Sequence, residues 1–172
     1  MILDGLLQFS AAGGDSPTTG SQTSTNSIDL GISGLPTSAS GGGARDIGIG
    51  DDPAMKLLVI VTTALTGGTS LAVNVQGAPD NGSGAPGSFV VMMTGPVVVE
   101  ASLIAGARLL DDDMPRPAPG QALPRFIQLG YVSVGTHGAG KVAAYLVLDR
   151  HDLPEQSNAV LGGYPPGIVI AN

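Results

Sequence analysis

Apolar residues occur along most of this chain in short runs separated by Gly, Pro, Ser and Asp. Residues 57–63 are almost continuously apolar, and in residues 71–76 apolar and polar positions alternate. A period of two is typical of a β-strand, whose successive side chains point to opposite faces. Residues 66–69, Thr-Gly-Gly-Thr, lie between the two segments. Because glycine accepts positive φ, they predict a tight hairpin turn.

The same pattern continues towards the C-terminus. Strands are predicted at 89–93, 97–103 and 108–110, between loops rich in Gly, Pro and Asp at 78–87 and 111–120. A final pair is predicted around Ile127–Tyr131 and Val142–Leu148, with a glycine-rich turn at 135–140. About eight strands and no helix predict an all-β fold, a jelly-roll or β-sandwich, with its core over residues 51–150.

The two ends of the chain differ from this core. Residues 1–50 are predicted to form an extended N-terminal arm, because 11–27 and 34–44 are almost entirely small and polar around one short edge strand at 28–32. Such an arm is either a flexible tether or a segment ordered by a neighbouring subunit. Residues 151–172 are predicted to form a C-terminal tail. Its apolar triplet at 168–170 either packs on a neighbour or closes the chain's own sandwich.

Composition narrows the classes of function. The chain carries seven Lys and Arg against fourteen Asp and Glu, a formal net charge of −7, so its overall field repels nucleic acid. It has no cysteine, which excludes disulfides and thiolate metal sites. The longest apolar run, 57–61, is far below the roughly 20 residues that span a bilayer, and the N-terminus lacks the basic segment of a signal peptide. We therefore expect neither a nucleic-acid nor a membrane partner.

Candidate catalytic and ligand motifs are weak. Residues 135–141, Gly-Thr-His-Gly-Ala-Gly-Lys, match the glycine and lysine spacing of a phosphate-binding loop, but Val142 stands where Ser or Thr would hold magnesium. The run Asp111–Asp113 lacks the spaced ligands of a calcium loop, and His137 and His151 have no partner constellation readable from sequence. The sequence predicts a protein that is not an enzyme and that uses no cofactor or metal.

Several stretches together resemble the capsid cement, or decoration, proteins of tailed bacteriophages. They lie at both ends and in the middle of the chain: residues 1–10, 24–31, 45–50, 125–132, 141–149 and 164–172. The resemblance implies a jelly-roll domain on the outer capsid surface of a virion. There it would oligomerise and clamp neighbouring major capsid protein subunits, with the two ends of the chain reaching across subunits.

The apolar side chains of these matching stretches are the predicted interface. They are Ile2, Leu3, Leu6, Phe9, Ile28, Leu30, Ile47, Ile49, Tyr164, Ile168, Val169 and Ile170. The resemblance leaves open whether the homo-oligomer is a dimer or a trimer, and which capsid axes it occupies. An alternative function is a carbohydrate-binding or host-attachment β-sandwich module, since sandwiches serve many functions. Three Phe, three Tyr and no Trp leave few aromatic rings for stacking on sugars.

Overall fold

A computed structural model describes residues 7–31, 55–117, 119–121 and 123–147. Within these ranges the chain is all-β, as predicted, and one antiparallel sheet holds its strands. The elements are β1 Thr19–Thr23, β2 Ile28–Asp29, β3 Lys56–Ala78, β4 Val90–Thr94, β5 Val98–Val99, β6 Arg108–Asp113 and β7 Phe126–Val147, with a 3-10 helix at Glu100–Ser102. No helix among the described residues has the length and apolarity needed to cross a membrane.

Two very long strands, β3 and β7, form the centre of the fold. They pair along their whole lengths, from Lys56 opposite Val147 to Ala78 opposite Phe126. The hairpin turns predicted at 66–69 and 135–140 are therefore wrong. Both glycine-rich segments stay within their strands and pair with each other, with Gly68 opposite Gly135. The cause is non-local, because each segment takes the other as its hydrogen-bonding partner instead of turning back on itself.

The β3–β7 ribbon bends at these glycine-rich segments, and its two halves face each other as a sandwich. A straight strand of 23 residues would be about 75 Å long. Instead, one core cluster contains side chains from both halves. Leu110 shows that the two halves face each other. Its strand, β6, pairs with the first half of β3, but its side chain packs near Gly95. The N–H of Gly95 donates to the carbonyl of Val73 in the second half of β3.

The bend is packed around His137. This side chain is 1 % exposed, and its Nε2 lies 3.4 Å from the carbonyl oxygen of Ser70. Its Nδ1 has no hydrogen-bond partner within the described part of the chain. The imidazole occupies the space above Gly68, where a Cβ would overlap the ring. Gly68 is thus required by close approach, not by a turn.

Shorter strands flank the ribbon on both sides. β6 pairs with the first half of β3, β4 and β5 pair with its second half, and β1 and β2 pair with β7. Three predictions are corrected here. Segment 11–27 contains a strand, β1; residues 111–113 continue β6 instead of opening a loop; and most of 97–103 is a two-residue strand followed by the 3-10 helix.

The N-terminal segment belongs to the sandwich as far as it is described. The N–H of Phe9 donates to Ala144 in the second half of β7, and the N–H of Asn26 donates to the carbonyl of Phe9. Asn26 precedes β2, which pairs with the first half of β7. Residues 7–31 therefore join the two halves of the sandwich, while the predicted boundary at residue 50 lies outside the described residues and stays a prediction.

Candidate interaction surface and polar cleft

The two outer edges of the sheet differ in chemistry. β1, at one end of the strand order, reads Thr-Gly-Ser-Gln-Thr, whereas β4, at the other end, reads Val-Val-Met-Met-Thr. Val90 and Val91 of β4 are 46 % and 45 % exposed. Val97, which precedes β5, and Val99, which lies in β5, are 69 % and 57 % exposed. We call residues 90–99 the valine edge.

The valine edge carries no charge. No Asp, Glu, Lys, Arg or His occurs between Asp80 and Glu100. Soluble proteins commonly protect an edge strand with charges, proline or a covering segment, because its free N–H and C=O groups can pair with another chain. Within the described residues, β4 has a strand neighbour only on its β3 side. β4 itself contains neither a charged residue nor a proline, so it has the composition of a strand that is covered by a partner.

An apolar groove adjoins β4. Its volume is about 190 Å³, and its lining includes Val90, Met92, Ala78, Pro79 and Pro124. Its floor depends on Gly77, because a Cβ there would lie 2.8 Å from the Cβ of Pro124 and close to the Met92 sulfur. The groove extends the valine edge with space for an apolar side chain.

Arg125 fixes the residues around this groove. Its Nε and Nη2 donate to the two carboxylate oxygens of Asp29 at 2.9 and 3.0 Å, and its Nη1 donates to Asp80. The hydrogen bonds to Asp29, followed by those to Asp80, raise the pKa of Arg125. The guanidinium also lies 4.9 Å from the centroid of the Phe126 ring. One side chain thereby links β2, β7 and the loop after β3.

The loop after β3 is held by its own carboxylate. Oδ1 of Asp80 accepts hydrogen bonds from the N–H groups of Gly82 and Gly84 at 2.8 and 3.0 Å. These backbone donors, the first of them above all, lower the pKa of Asp80, and Arg125 lowers it further. The breaker-rich loop predicted at 78–87 is confirmed from residue 79 onward, and the Asp80 carboxylate binds two of its backbone N–H groups.

A second feature is a polar cleft of about 440 Å³ on the β1 side of the sheet. Asp15 lies at its inner end and is 7 % exposed. One carboxylate oxygen accepts from the Thr25 hydroxyl at 2.6 Å and from the N–H of Ala11 at 3.0 Å. The other accepts from the Tyr131 hydroxyl at 3.0 Å and from the N–H of Thr25 at 3.3 Å. All four lone-pair positions of this buried carboxylate are thus occupied.

The predicted interface residues separate into two groups. Phe9, Ile28 and Leu30 are buried in the chain's own core cluster. Intrachain packing therefore accounts for their apolar character, and their contact with a partner stays a prediction. The other nine, Ile2, Leu3, Leu6, Ile47, Ile49, Tyr164, Ile168, Val169 and Ile170, lie outside the described residues.

The segment with phosphate-loop spacing, 135–141, lies within β7. It does not connect a strand to a helix, so it lacks the helix N-terminus on which phosphate binding depends. His137 of this segment is enclosed in the bend. Among the described residues, no three His, Asp or Glu side chains are grouped to hold a metal ion.

Sequence reasoning missed both surface features. It predicted strands over residues 89–93 and 97–103 but not that their valines would be exposed, and the uncharged stretch between Asp80 and Glu100 was the available signal. The cleft had no comparable signal. Its two inner groups, Asp15 and Tyr131, are 116 positions apart and meet only through the closed sandwich.

These observations define a class: an all-β sandwich protein built on one bent two-stranded ribbon, with an uncharged apolar edge. A family model, Bbp16, matches residues 13–146, a range that contains β1 to β6 and almost all of β7, and the chain belongs to this family. No curated protein matches the chain.

Proposed function

We propose that this protein is a structural virion protein that binds the outer surface of a phage capsid and clamps neighbouring major capsid protein subunits. The exposed, uncharged valine edge carries the proposal, because it offers the free side of β4 and a groove to another protein. The all-β sandwich and the resemblance of six stretches to cement proteins support it. The proposed role is mechanical: the protein needs no cofactor and binds neither nucleic acid nor a membrane.

The physical basis of the clamp is strand addition. A segment of a partner that pairs with β4 gains main-chain hydrogen bonds along the edge, while alternate side chains reach the groove. Complete burial of a fully exposed valine contributes about 1.5 kcal/mol, and each of the four valines of the edge, which are 45–69 % exposed, contributes a part of that amount. Because this edge is neutral while the chain as a whole carries −7, a partner meets no unpaired charge there.

The same proposal includes self-association into a homo-oligomer. A second copy carries the same net charge of −7, so a neutral surface is where two such acidic chains can approach most easily. Dimer and trimer both stay open, and a trimer would use a second surface on each copy, because one strand edge pairs with only one other strand. Light scattering on the purified protein and on the Val90→Lys variant tests this part. A wild-type mass that stays monomeric at high concentration, with no self-contact on the capsid, would contradict it.

The capsid proposal is tested by adding the purified protein to capsids that lack it. We expect the wild type to raise the temperature at which the capsids break, because a ligand of the assembled state stabilises that state. The double variant Val90→Lys, Val91→Lys should fail to do so, since it places two charges on the apolar edge. A matched control, Thr19→Lys, adds a charge to the exposed β1 at the opposite edge and should behave as wild type.

The melting temperature of each free variant separates loss of binding from loss of folding. All three lysines replace exposed side chains, so we expect free melting temperatures close to the wild type. Capsids whose breakage temperature is unchanged by the wild-type protein would overturn the cement function. Equal binding by the edge variant and the control would keep that function but exclude the valine edge as its surface.

A further inference from the structure

The polar cleft is lined mainly by residues 15–25, a segment that contains β1. The Thr25 N–H and hydroxyl both donate to the Asp15 carboxylate, so the two ends of this segment lie together. Asp15 is in turn anchored to β7, because its N–H donates to the Val142 carbonyl and its carbonyl accepts from the Val142 N–H. The cleft has a volume of about 440 Å³, within the range of small-molecule sites.

The groups available to a ligand in this cleft are hydroxyls. Ser16, Ser21 and Thr23 line it, are exposed, and use their hydroxyls in no hydrogen bond within the described part of the chain. Gln22 is engaged with Thr18, since its Oε1 accepts from the Thr18 N–H at 2.9 Å. The Asp15 carboxylate has its four acceptor positions filled. A ligand in the cleft therefore meets neutral hydroxyl groups, each of which can donate and accept a hydrogen bond.

We propose that this cleft binds a neutral saccharide, one sugar unit at a time, through the hydroxyls of Ser16, Ser21 and Thr23. Sugar hydroxyls also donate and accept, so each can pair with a serine or threonine hydroxyl in either sense. An anion is disfavoured, because the lining contains no Lys or Arg and holds a buried carboxylate. A cation finds that carboxylate already saturated by four donors.

The proposal goes beyond capsid binding and does not depend on it. The cleft lies beside β1, at the other end of the strand order from β4, so a sugar there leaves the valine edge free. It supplies a site for the carbohydrate-binding function considered as the alternative. Sugar binding by the free protein and stabilisation of capsids are separate measurements, so either can fail without the other.

The test is a titration of the isotope-labelled full chain with methyl glucoside, methyl galactoside and N-acetylglucosamine, followed through its amide resonances. We expect at least one sugar to shift the amides of residues 15–25 in a saturable manner. The triple variant Ser16→Ala, Ser21→Ala, Thr23→Ala should bind that sugar about tenfold more weakly or worse, because three hydrogen-bonding groups are removed. Its melting temperature should stay near the wild type, since these hydroxyls bond to no described residue.

A matched triple variant, Thr63→Ala, Ser83→Ala, Ser88→Ala, removes three hydroxyls from exposed positions outside both the cleft lining and the valine edge. It should bind as the wild type does. Phosphate and methylammonium at the same concentration should leave the amides of 15–25 unshifted. The proposal is overturned if no sugar shifts these amides, if both triple variants bind equally, or if either ion binds the cleft better than the sugars do.

Discussion

The hydroxyl of Tyr131 donates a 3.0 Å hydrogen bond to the carboxylate of Asp15, which precedes it by 116 positions. Tyr131 lies in the first half of β7, and Asp15 forms a bridge with Val142 in the second half. This one bond therefore crosses the sandwich and joins the N-terminal segment to both halves of the ribbon. It also forms the inner end of the polar cleft.

Removing the Tyr131 hydroxyl should lower the free energy of unfolding. In Tyr131→Phe the buried Asp15 carboxylate loses one of four donors, and a hydrogen bond to a charged group is worth about 1.5–3 kcal/mol. Urea unfolding measures the loss. Tyr145→Phe is the matched control, because the Tyr145 hydroxyl has no hydrogen bond within the described residues. Equal losses in the two variants would contradict a special role for the Tyr131 bond.

Stability should fall at alkaline pH because of the same tyrosine. Burial, then the negative charge of Asp15 and the hydrogen bond to it, raises the pKa of Tyr131 above the ordinary value of 10.0. At pH values below 10.0, the buried Tyr131 makes its full contribution to the free energy of unfolding. As the pH rises above that value, the phenol ionises in the unfolded chain but stays neutral in the fold, which favours unfolding.

The alkaline effect is measured as the difference in urea midpoint between wild type and Tyr131→Phe from about pH 9 to pH 11. The wild-type midpoint should decrease more steeply, because phenylalanine has no proton to lose. Parallel curves for the two proteins would show that Tyr131 ionises equally in both states.

Acid should loosen the loop after β3. Because the pKa of Asp80 is lowered in the fold from 3.8, its stabilising effect is present above that value and is lost as the pH falls through the folded pKa. Amide hydrogen exchange of Gly82 and Gly84, the two backbone donors to Asp80, should then accelerate relative to the core. In Asp80→Asn this pH dependence should disappear, since the amide does not titrate. If hydrogen exchange in Asp80→Asn still accelerated in acid, a group other than Asp80 would be responsible for the pH dependence.

A methyl group at Gly68 should disturb the bend of the ribbon. Its Cβ would overlap the buried His137 ring, and overpacking of this kind costs about 1–3 kcal/mol. Gly138→Ala is the matched control, because a Cβ there meets nothing within 4 Å. Urea unfolding of the two variants compares them directly. A Gly68→Ala protein as stable as the control would mean that the imidazole can move aside at little cost.

Local patterns in the sequence predicted the fold class and several elements. The alternation at 71–76 and the apolar run at 57–63 both lie in strand, β4 lies within one residue of the predicted 89–93, and β6 begins at the predicted Arg108. Such features depend on neighbours one or two positions away, through the side-chain period of two and the turn chemistry of Gly and Pro. They are therefore visible before folding.

Local patterns failed where a distant segment decided the structure. The glycines at 67–68 and 135 have the chemistry of turns, yet Gly68 and Gly135 are paired across the ribbon. β1 has no apolar alternation, and its strand conformation comes from its pairing with β7. The acidic residues 111–113 are strand because the first three residues of β3 supply their partners. A backbone hydrogen bond satisfies its groups regardless of which side chains flank it.

The sequence by itself determined that this protein is all-β, acidic and free of cysteine, because these properties follow from composition and short-range periodicity. Only the tertiary structure decided that two strands would run unbroken through their glycines, that Phe9, Ile28 and Leu30 would be buried in the chain's own core, and that the valines of β4 would be left exposed. Burial and pairing depend on which distant segments meet, and that is fixed by the closure of the whole chain around one core.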